Sequence, residues 1–398
     1  MKPTRTRAVD TVLWPLNLAR PFEVVPMIPQ SATRTERARD YGPPRLIVEL
    51  TNVCNLHCDY CLRDEDALYN PQAAFFPVEL LTRLMREARE EAGVRVLMFT
   101  GGETTLHPRF GEVLRAVAAE GFKCSFVTNG WHFERVWPAL RDSREAVTHV
   151  AFSLDGATRE AHDRSRGQGS FVRLVRAFSR CRAAGLPFVV KSVIRRDTAT
   201  QLEQLALFAA RMGAAGISYV HLLPTSGVLE DTQALERAER NAAEQEVAAL
   251  ARILRMRVSL DVGYFDADPA APCSSLACAS FNVDYRGRLT LCCNLSGYRG
   301  AAGEPEVVAD LNVESFASAA ARLRRLASAQ LARRAEALAG FVESGRQLDL
   351  YVGSPCLFCL QSFEKIPWRA EGLKSSARSL PVMQGAPLAV PGGSGAGE

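Results

Sequence analysis

An excess of charge of either sign is what this chain lacks. Its 48 basic and 44 acidic side chains leave a formal charge of only +4 over 398 residues, too even a balance to draw in nucleic acid or an anionic membrane through bulk electrostatics. Also missing is any run approaching the ~18 apolar residues of a membrane span. The basic start, Met1-Lys-Pro-Thr-Arg-Thr-Arg, leads to the apolar stretch Val12-Leu-Trp-Pro-Leu-Asn-Leu, which is short and broken by proline and so argues against a secretory signal. Cysteine is present in an odd number, 11, which in a long chain without a cleavable leader points to a reducing compartment and away from a disulfide framework. The expectation is a cytoplasmic protein with no nucleic-acid and no membrane partner.

What the chain does contain is alternation. Residues 1–44 are rich in Pro and Arg without a sustained period and read as an extension wrapped over the next domain, too short for a recognition domain of its own. From Leu46 short apolar runs alternate with helical segments, the mark of βα units and a parallel sheet. The expected strands are Leu46–Leu50, Val94–Phe99, Lys123–Val127, His149–Leu154, Phe188–Val193 and Ile217–Leu222, and the helices between them include Val78–Ala92, Phe110–Glu120, Phe171–Ala184 and Leu202–Met212. Six such units make an α/β fold, a partial (β/α)6 TIM-like barrel over residues 45–229. A helical linker is expected over 230–268, a small domain with a β-hairpin and helices over 269–366, and a disordered Ser-, Pro- and Gly-rich tail over 367–398.

In βα folds the loops at the carboxyl ends of parallel strands form the active face. The polar and Gly-rich clusters fall there: Cys54 to Cys61 after the first strand, Thr100-Gly101-Gly102-Glu103 after the second, Thr128-Asn129-Gly130 after the third and Ser153-Leu154-Asp155-Gly156 after the fourth. Gly101 and Gly102 let the backbone approach a ligand closely. Glu103 offers an acceptor to an ammonium group, and Ser153 and Asp155 offer partners to hydroxyls.

The stretch Cys54-Asn-Leu-His-Cys58-Asp-Tyr-Cys61 can bring three thiolates to one iron–sulfur cube and leave its fourth iron without a protein ligand. Such an iron can chelate the amino and carboxylate groups of a small molecule, and the reduced cube can pass it one electron. Half of a structural zinc site, completed by His57 or another cysteine, is the other use of these residues. The spacing, with aromatic Tyr60 before the third cysteine, resembles the radical S-adenosylmethionine (radical SAM) signature. The resemblance implies a [4Fe-4S] cluster on Cys54, Cys58 and Cys61 with SAM bound to it. It assigns the methionine amino group to Gly101, Gly102 and Glu103 and the ribose to Ser153 and Asp155. Tyr60, Thr128 and Asn129 join the cofactor-binding set, and Lys191, or else Arg195, meets the SAM carboxylate.

Cysteines resume late in the chain. Cys273 and Cys278 precede Phe281-Asn-Val-Asp-Tyr-Arg-Gly287-Arg-Leu-Thr-Leu-Cys292-Cys293, a hairpin with its turn at Arg286-Gly287, and Cys356-Leu-Phe-Cys359 follows much later. This pattern resembles the SPASM or twitch extension of many radical SAM barrels, which holds auxiliary iron–sulfur clusters. A full SPASM domain has further cysteines, and none follows Cys359 here, so one auxiliary [4Fe-4S] cluster is expected. Its ligands are drawn from Cys273, Cys278, Cys292, Cys356 and Cys359, with the choice between Cys273 and Cys278 open and Cys293 a bystander; zinc is the alternative occupant. Cys124 and Cys181 read as small core residues, and Asp310 and Tyr298 as structural.

The resemblance implies reductive cleavage of SAM to methionine and a 5′-deoxyadenosyl radical that takes a hydrogen atom from a substrate. An external reductant of flavodoxin or ferredoxin type supplies the electron. The expected substrate is a residue in a peptide, which would be crosslinked, dehydrogenated or epimerised. A small metabolite such as a sugar or cyclitol is the alternative, and a non-catalytic metal-binding scaffold is a third reading from another class. No catalytic acid or base can be named from these residues.

Overall fold

Alternation of apolar and small or polar residues at every second position is what makes the strands of this chain two-faced. The computed structural model describes residues 41–63, 73–268, 271–301 and 303–372. The expected tail beyond residue 372 and most of the expected N-terminal extension lie outside the described residues. Seven parallel strands form the body of one sheet: β1 (Arg45–Glu49), β2 (Val96–Thr100), β3 (Lys123–Thr128), β4 (Val147–Ser153), β5 (Phe188–Ile194), β6 (Gly216–His221) and β7 (Arg257–Val262). On their outer face Val48, Phe99, Phe126, Phe152, Phe188 and Ile217 are buried against a layer of helices.

That layer comprises α1 (Val78–Ala92), α2 (Phe110–Ala119), α3 (Phe133–Asp142), α4 (Arg159–Arg166), α5 (Ser170–Ala183) and α6 (Leu202–Met212). Helix α1 buries Leu80, Leu81, Leu84, Met85 and Ala88, an i, i+1, i+4, i+5, i+8 stripe, and stops at Gly93, whose φ of 66° closes a left-handed cap. Phe152 sits edge-on to Phe133, Phe178 and Phe188 with centroids 5.1–5.9 Å apart, so aromatic packing joins α3, β4, α5 and β5. Cys124 and Cys181 are fully buried in this core.

Two features go beyond the sequence expectation. The segment 230–268 holds α7 (Gly227–Gln233) at its start, then α8 (Arg237–Ile253), but it ends in β7, a seventh parallel strand on β6. Arg257, Ser259 and Asp261 alternate with Val258, Leu260 and Val262, a pattern that is half polar because its inner face lines the barrel. The C-terminal hairpin, β8 (Ser280–Val283) and β9 (Arg288–Thr290), then returns to the other edge, where β8 runs parallel to β1 with Arg45 opposite Ser280. With β10 (Val307–Asp310) the result is one ten-stranded sheet, β10-β9-β8-β1-β2-β3-β4-β5-β6-β7, whose ends do not pair and so leave the barrel open.

Helix α9 (Phe316–Ser344) lies across α1, with Phe316 N donating to Glu87 Oε2 at 2.7 Å. It carries the C-terminal helices α10 (Leu350–Gly353) and α11 (Pro355–Ser362). In this way residues 60 and more positions after the hairpin are returned to its side.

Candidate functional site

The cysteine loop leaves β1 directly and is held by the two glycines at the end of β2. Gly102 N donates to Thr51 O at 2.8 Å and Glu103 N to Val53 O at 2.7 Å, so the Gly-Gly backbone runs against the lead-in to Cys54. A Cβ on Gly101 would meet Thr51 O at 2.4 Å, and one on Gly102 would meet Val53 O at 2.1 Å. The close approach these glycines permit is therefore first of all to the cysteine loop itself. Leu56 N lies 3.5 Å from Cys54 Sγ and Asn129 Nδ2 lies 4.0 Å from it, while Arg166 Nη1 lies 4.0 Å from Cys58 Sγ. Burial pushes the Cys54 thiol up to about 12, with Glu103 adding to the effect.

Two carboxylates at strand ends tie this loop to its neighbours. Glu103 is buried, and its Oε1 accepts from Thr105 N and Oγ1 and from Thr128 Oγ1 at 2.6 Å, while Oε2 accepts from Asn129 N at 2.7 Å. Asp155 is buried too. Its Oδ2 accepts from the Tyr60 hydroxyl and from Arg166 Nε at 2.6 Å, and its Oδ1 from Val193 N at 3.2 Å. Burial raises the Asp155 carboxyl, but Arg166, the Tyr60 hydroxyl and His162 outweigh it and hold the group below the usual carboxylate range. The Tyr60 ring lies between Arg195, 4.6 Å from its centroid, and Arg166 at 5.6 Å. Arg195 in turn meets Asp59 at 3.1 Å and Ser165 at 2.6 Å. The side chains of Glu103, Asp155 and Tyr60, read from the sequence as cofactor contacts, are thus engaged by other parts of the protein, with the loops after β1 to β5 bound into one frame. Sequence reasoning does not single out Arg166; its signal is the arginine that ends α4, the helix following the Ser153 to Gly156 loop.

Inside the barrel the wall is more open. Ser153 follows the inward-facing positions of β4, and Lys191 opposite it on β5 sits 3.8 Å from Asp261 on β7, their side chains 30 % and 40 % accessible. Ser218 of β6 also donates to Asp261. Arg45 and Arg257 act electrostatically on the same group of residues, so the interior is polar, accessible and net cationic.

The late cysteines meet above it. Cys273, Cys292, Cys356 and Cys359 line one cavity with Ser275, Asn294 and apolar residues such as Leu223, Leu276 and Leu291. Cys278 is not in that lining; it adopts a φ of 53° and lies near Arg324. Each lining thiol has a nearby N–H outside the cysteine set: the backbone N–H groups of Ser275 and Leu276 at Cys273, Asn294 N at 3.4 Å from Cys292, Gly263 N at 3.4 Å from Cys356 and Gln330 Nε2 at 3.6 Å from Cys359. Arg334 is buried close by, and donates to Val352 O at 3.1 Å. Gln330 and Arg334, polar residues at buried positions on the apolar stripe of α9, are further site residues that the sequence reading missed. Burial pushes Cys273 up to about 11 and Cys356 up to about 12, whereas hydrogen bonding, first of all with Cys293, holds Cys292 below the usual thiol range.

This donor set fits a cluster. Four thiols lining one cavity are the donors that the corners of an iron–sulfur cube take. Tyr298 and Asp310 have structural partners: the Tyr298 hydroxyl donates to Pro224 O at 2.6 Å, and Asp310 accepts from Asn312 N at 2.9 Å.

A buried ion pair joins the two cysteine regions. Arg63, two residues after Cys61, meets Glu49 of β1 at 2.6 Å and donates to Ser296 O; Arg299 N donates to Leu62 O at 2.8 Å, and Arg63 bridges to Tyr298. Arg63 acts electrostatically with both Cys61 and Cys293. The segment after the first cysteine loop is therefore zipped to the segment after Cys292-Cys293.

Comparison with known proteins gives a consistent picture. Residues 48–209 match the family model of the Radical SAM superfamily. The mycofactocin maturase MftC of Mycobacterium tuberculosis is 35 % identical over 193 residues, which cover 47 % of this chain and 46 % of that protein. The PqqA peptide cyclase of Ruegeria pomeroyi is 29 % identical over 263 residues, covering 63 % of this chain and 68 % of that one. The chain thus spans about half the length of the maturases it matches. Among solved structures, Streptococcus suis SuiB bound to S-adenosylmethionine superposes with a TM-score of 0.56 at 15 % identity, covering 69 % of this chain and 65 % of that one, a likeness of fold.

Proposed function

We propose that the chain is a radical SAM enzyme, as its match over residues 48–209 and its relatives support, and a peptide maturase with one auxiliary cluster. Cys54, Cys58 and Cys61 hold the [4Fe-4S] cluster that binds SAM, and Cys273, Cys292, Cys356 and Cys359 hold the auxiliary [4Fe-4S] cluster. When bound, the first cluster and SAM supply reductive cleavage of a sulfur–carbon bond and a 5′-deoxyadenosyl radical that removes a hydrogen atom from the substrate. The observation that carries this reading is the pairing of the two thiol sets across the Arg63–Glu49 ion pair at the mouth of an open barrel.

The protein's own part is orientation. Gly101 and Gly102 fix the approach of the strand-end backbone to the cysteine loop, and Thr128 and Asn129 are set by the Glu103 carboxylate. Arg166, held between Asp155 and Cys58, presents a permanent positive charge beside the cysteine loop, suited to a carboxylate. Ser153 and Lys191 line the interior that the substrate and nucleoside share. Gln330, Arg334 and the N–H groups on Cys356 and Cys292 tune the auxiliary cluster, since hydrogen bonds and charge near the sulfurs set its potential. A peptide is the favoured substrate because one relative is named a maturase and another a peptide cyclase. The electron comes from an external carrier in a reducing cytoplasm.

The test is anaerobic reconstitution with iron and sulfide, followed by assay of 5′-deoxyadenosine and comparative mass spectrometry of peptides from cells with and without the gene. Production of 5′-deoxyadenosine and a gene-dependent peptide mass change are expected; stoichiometric zinc without SAM cleavage would defeat the reading. Cys356→Ala is expected to lower bound iron by about one cluster's worth, about four atoms, while SAM cleavage persists. Iron analysis beside 5′-deoxyadenosine assay checks this, and unchanged iron content counts against the auxiliary cluster.

A further inference from the structure

We propose that the side-chain amide of Asn55 donates a hydrogen bond to a sulfur of the cluster on Cys54, Cys58 and Cys61 and so makes that cluster easier to reduce. The inference rests on the function proposed above and gives a task to a residue of the cysteine loop that carries no thiol. It begins from a buried donor: Asn55 Nδ2 is shielded from solvent and has no hydrogen-bond partner among the described residues. Burying such an N–H without an acceptor is destabilising, so a native fold holds one where an acceptor arrives. The loop that carries it suits one group rich in acceptors, a cluster with its sulfides and thiolates.

Neighbouring side chains fix which way the amide faces. Trp131 N donates to Asn129 Oδ1 at 2.9 Å, which turns Asn129 Nδ2 toward the cysteine loop. There it donates to Asn55 Oδ1 at 3.1 Å and lies 4.0 Å from Cys54 Sγ. Reversing the Asn55 amide would bring two N–H donors together, so its oxygen meets Asn129 and its nitrogen is left for another partner. The Asn55 amide and the Cys54 sulfur thus share one neighbour, and Leu56 N adds a further N–H 3.5 Å from that sulfur. Reduction adds an electron to a cluster already made anionic by its thiolates, and an N–H dipole aimed at a sulfur stabilises the added charge. Asparagine supplies that dipole without a charge of its own, whereas Arg166 stands at the Cys58 corner with a full one.

The test uses the full chain reconstituted with iron and sulfide, in the absence of SAM, and follows a redox titration by EPR for wild type, N55L and N55D. Leucine matches the shape of asparagine and donates nothing; aspartate keeps the oxygen that Asn129 Nδ2 meets and puts a negative charge where the donor was. At the wild-type midpoint the ratio of reduced to oxidised cluster on the Cys54 loop is expected to fall ~10-fold in N55L, a midpoint lowered by about 59 mV for one electron. N55D is expected to shift further in the same direction, while the auxiliary cluster titrates as in the wild type. The second readout is spectroscopic. With nitrogen-15 in the asparagine side chains, pulsed EPR of the reduced wild-type cluster is expected to show a nitrogen coupling that both variants lack. Midpoint and coupling must change together; an unshifted midpoint, or a coupling that survives in the variants, overturns the proposal. An unshifted midpoint with SAM affinity at least ~10-fold weaker by equilibrium dialysis overturns it too and gives the N–H to SAM. If N55L binds less iron, N55D decides by the same two readouts, and loss of iron from both overturns the proposal because Asn55 then shapes the loop. A wild type with no reducible cluster on Cys54, Cys58 and Cys61 would sink the proposed function itself, an outcome distinct from a cluster whose midpoint ignores Asn55.

Discussion

Cys58→Ala is expected to abolish 5′-deoxyadenosine formation and to remove about four iron atoms per chain, while the fold and the auxiliary cluster remain. The physical reason is local. Cys58 lies in the one loop that carries all three thiols, and Arg166 Nη1 sits 4.0 Å from its sulfur. Removing the thiol leaves two sulfurs where three corners need holding, and leaves the guanidinium facing a methyl group. The frame around it does not depend on that sulfur: Tyr60 still donates to Asp155, and Arg195 still covers the ring. Circular dichroism and the remaining iron should thus resemble the wild type's, with the activity lost. Retention of SAM cleavage in Cys58→Ala would mean that the cluster is held elsewhere.

Gly102→Ala is expected to have an effect nearly as large without touching a ligand. The added Cβ would lie 2.1 Å from Val53 O and 2.5 Å from Val53 C, both backbone atoms of the lead-in to Cys54. Neither neighbour is a flexible side-chain end, so the β2 end and the cysteine loop must separate, with loss of the 2.8 Å bond from Gly102 N to Thr51 O. Overpacking of this kind costs about 1–3 kcal/mol. Here that cost falls on the geometry of the three thiols, so iron bound by the first site and SAM affinity should both fall by at least ~10-fold. Iron analysis and equilibrium dialysis with labelled SAM check the outcome. Gly340→Ala is the matched control: its Cβ meets nothing within 4 Å on α9, and it is expected to stabilise the helix by about 0.5–1 kcal/mol. Normal SAM binding by Gly102→Ala would show that the contact between the two loops is dispensable.

The Arg63–Glu49 pair carries a different implication. Burial and the Arg63 charge pull the Glu49 carboxyl in opposite directions; burial is the stronger, and the group rises to about 7. Arg63 is held at both ends, by Glu49 and by Ser296 O, and links the loop after Cys61 to the loop after Cys292. The two cysteine regions therefore form one mechanical unit although they lie more than 200 residues apart in sequence.

Much of this was legible before any coordinates. The first six strands and helices such as Val78–Ala92 and Leu202–Met212 follow from apolar periodicity, since one face of each packs in the core. The seventh strand escaped notice because Arg257, Ser259 and Asp261 face the polar interior and dilute the apolar signal. The hairpin turn at Gly287 was legible from its residues, and its φ of 83° agrees. Its pairing with β1 was not, because strand partners distant in sequence leave no local trace.

Spacing alone brings Cys54, Cys58 and Cys61 into one loop, because seven residues of backbone cannot carry the thiols far from each other. Composition and periodicity likewise determine a βα sheet with its polar loops at the strand ends. Only the tertiary structure decided that Cys273 and not Cys278 joins the cavity with Cys292, Cys356 and Cys359, since α9 and α11 set that choice from afar. It alone decided, too, that Glu103 and Asp155 are engaged by protein donors: a carboxylate in a sequence shows its charge, but its hydrogen-bond partners are chosen by the fold around it.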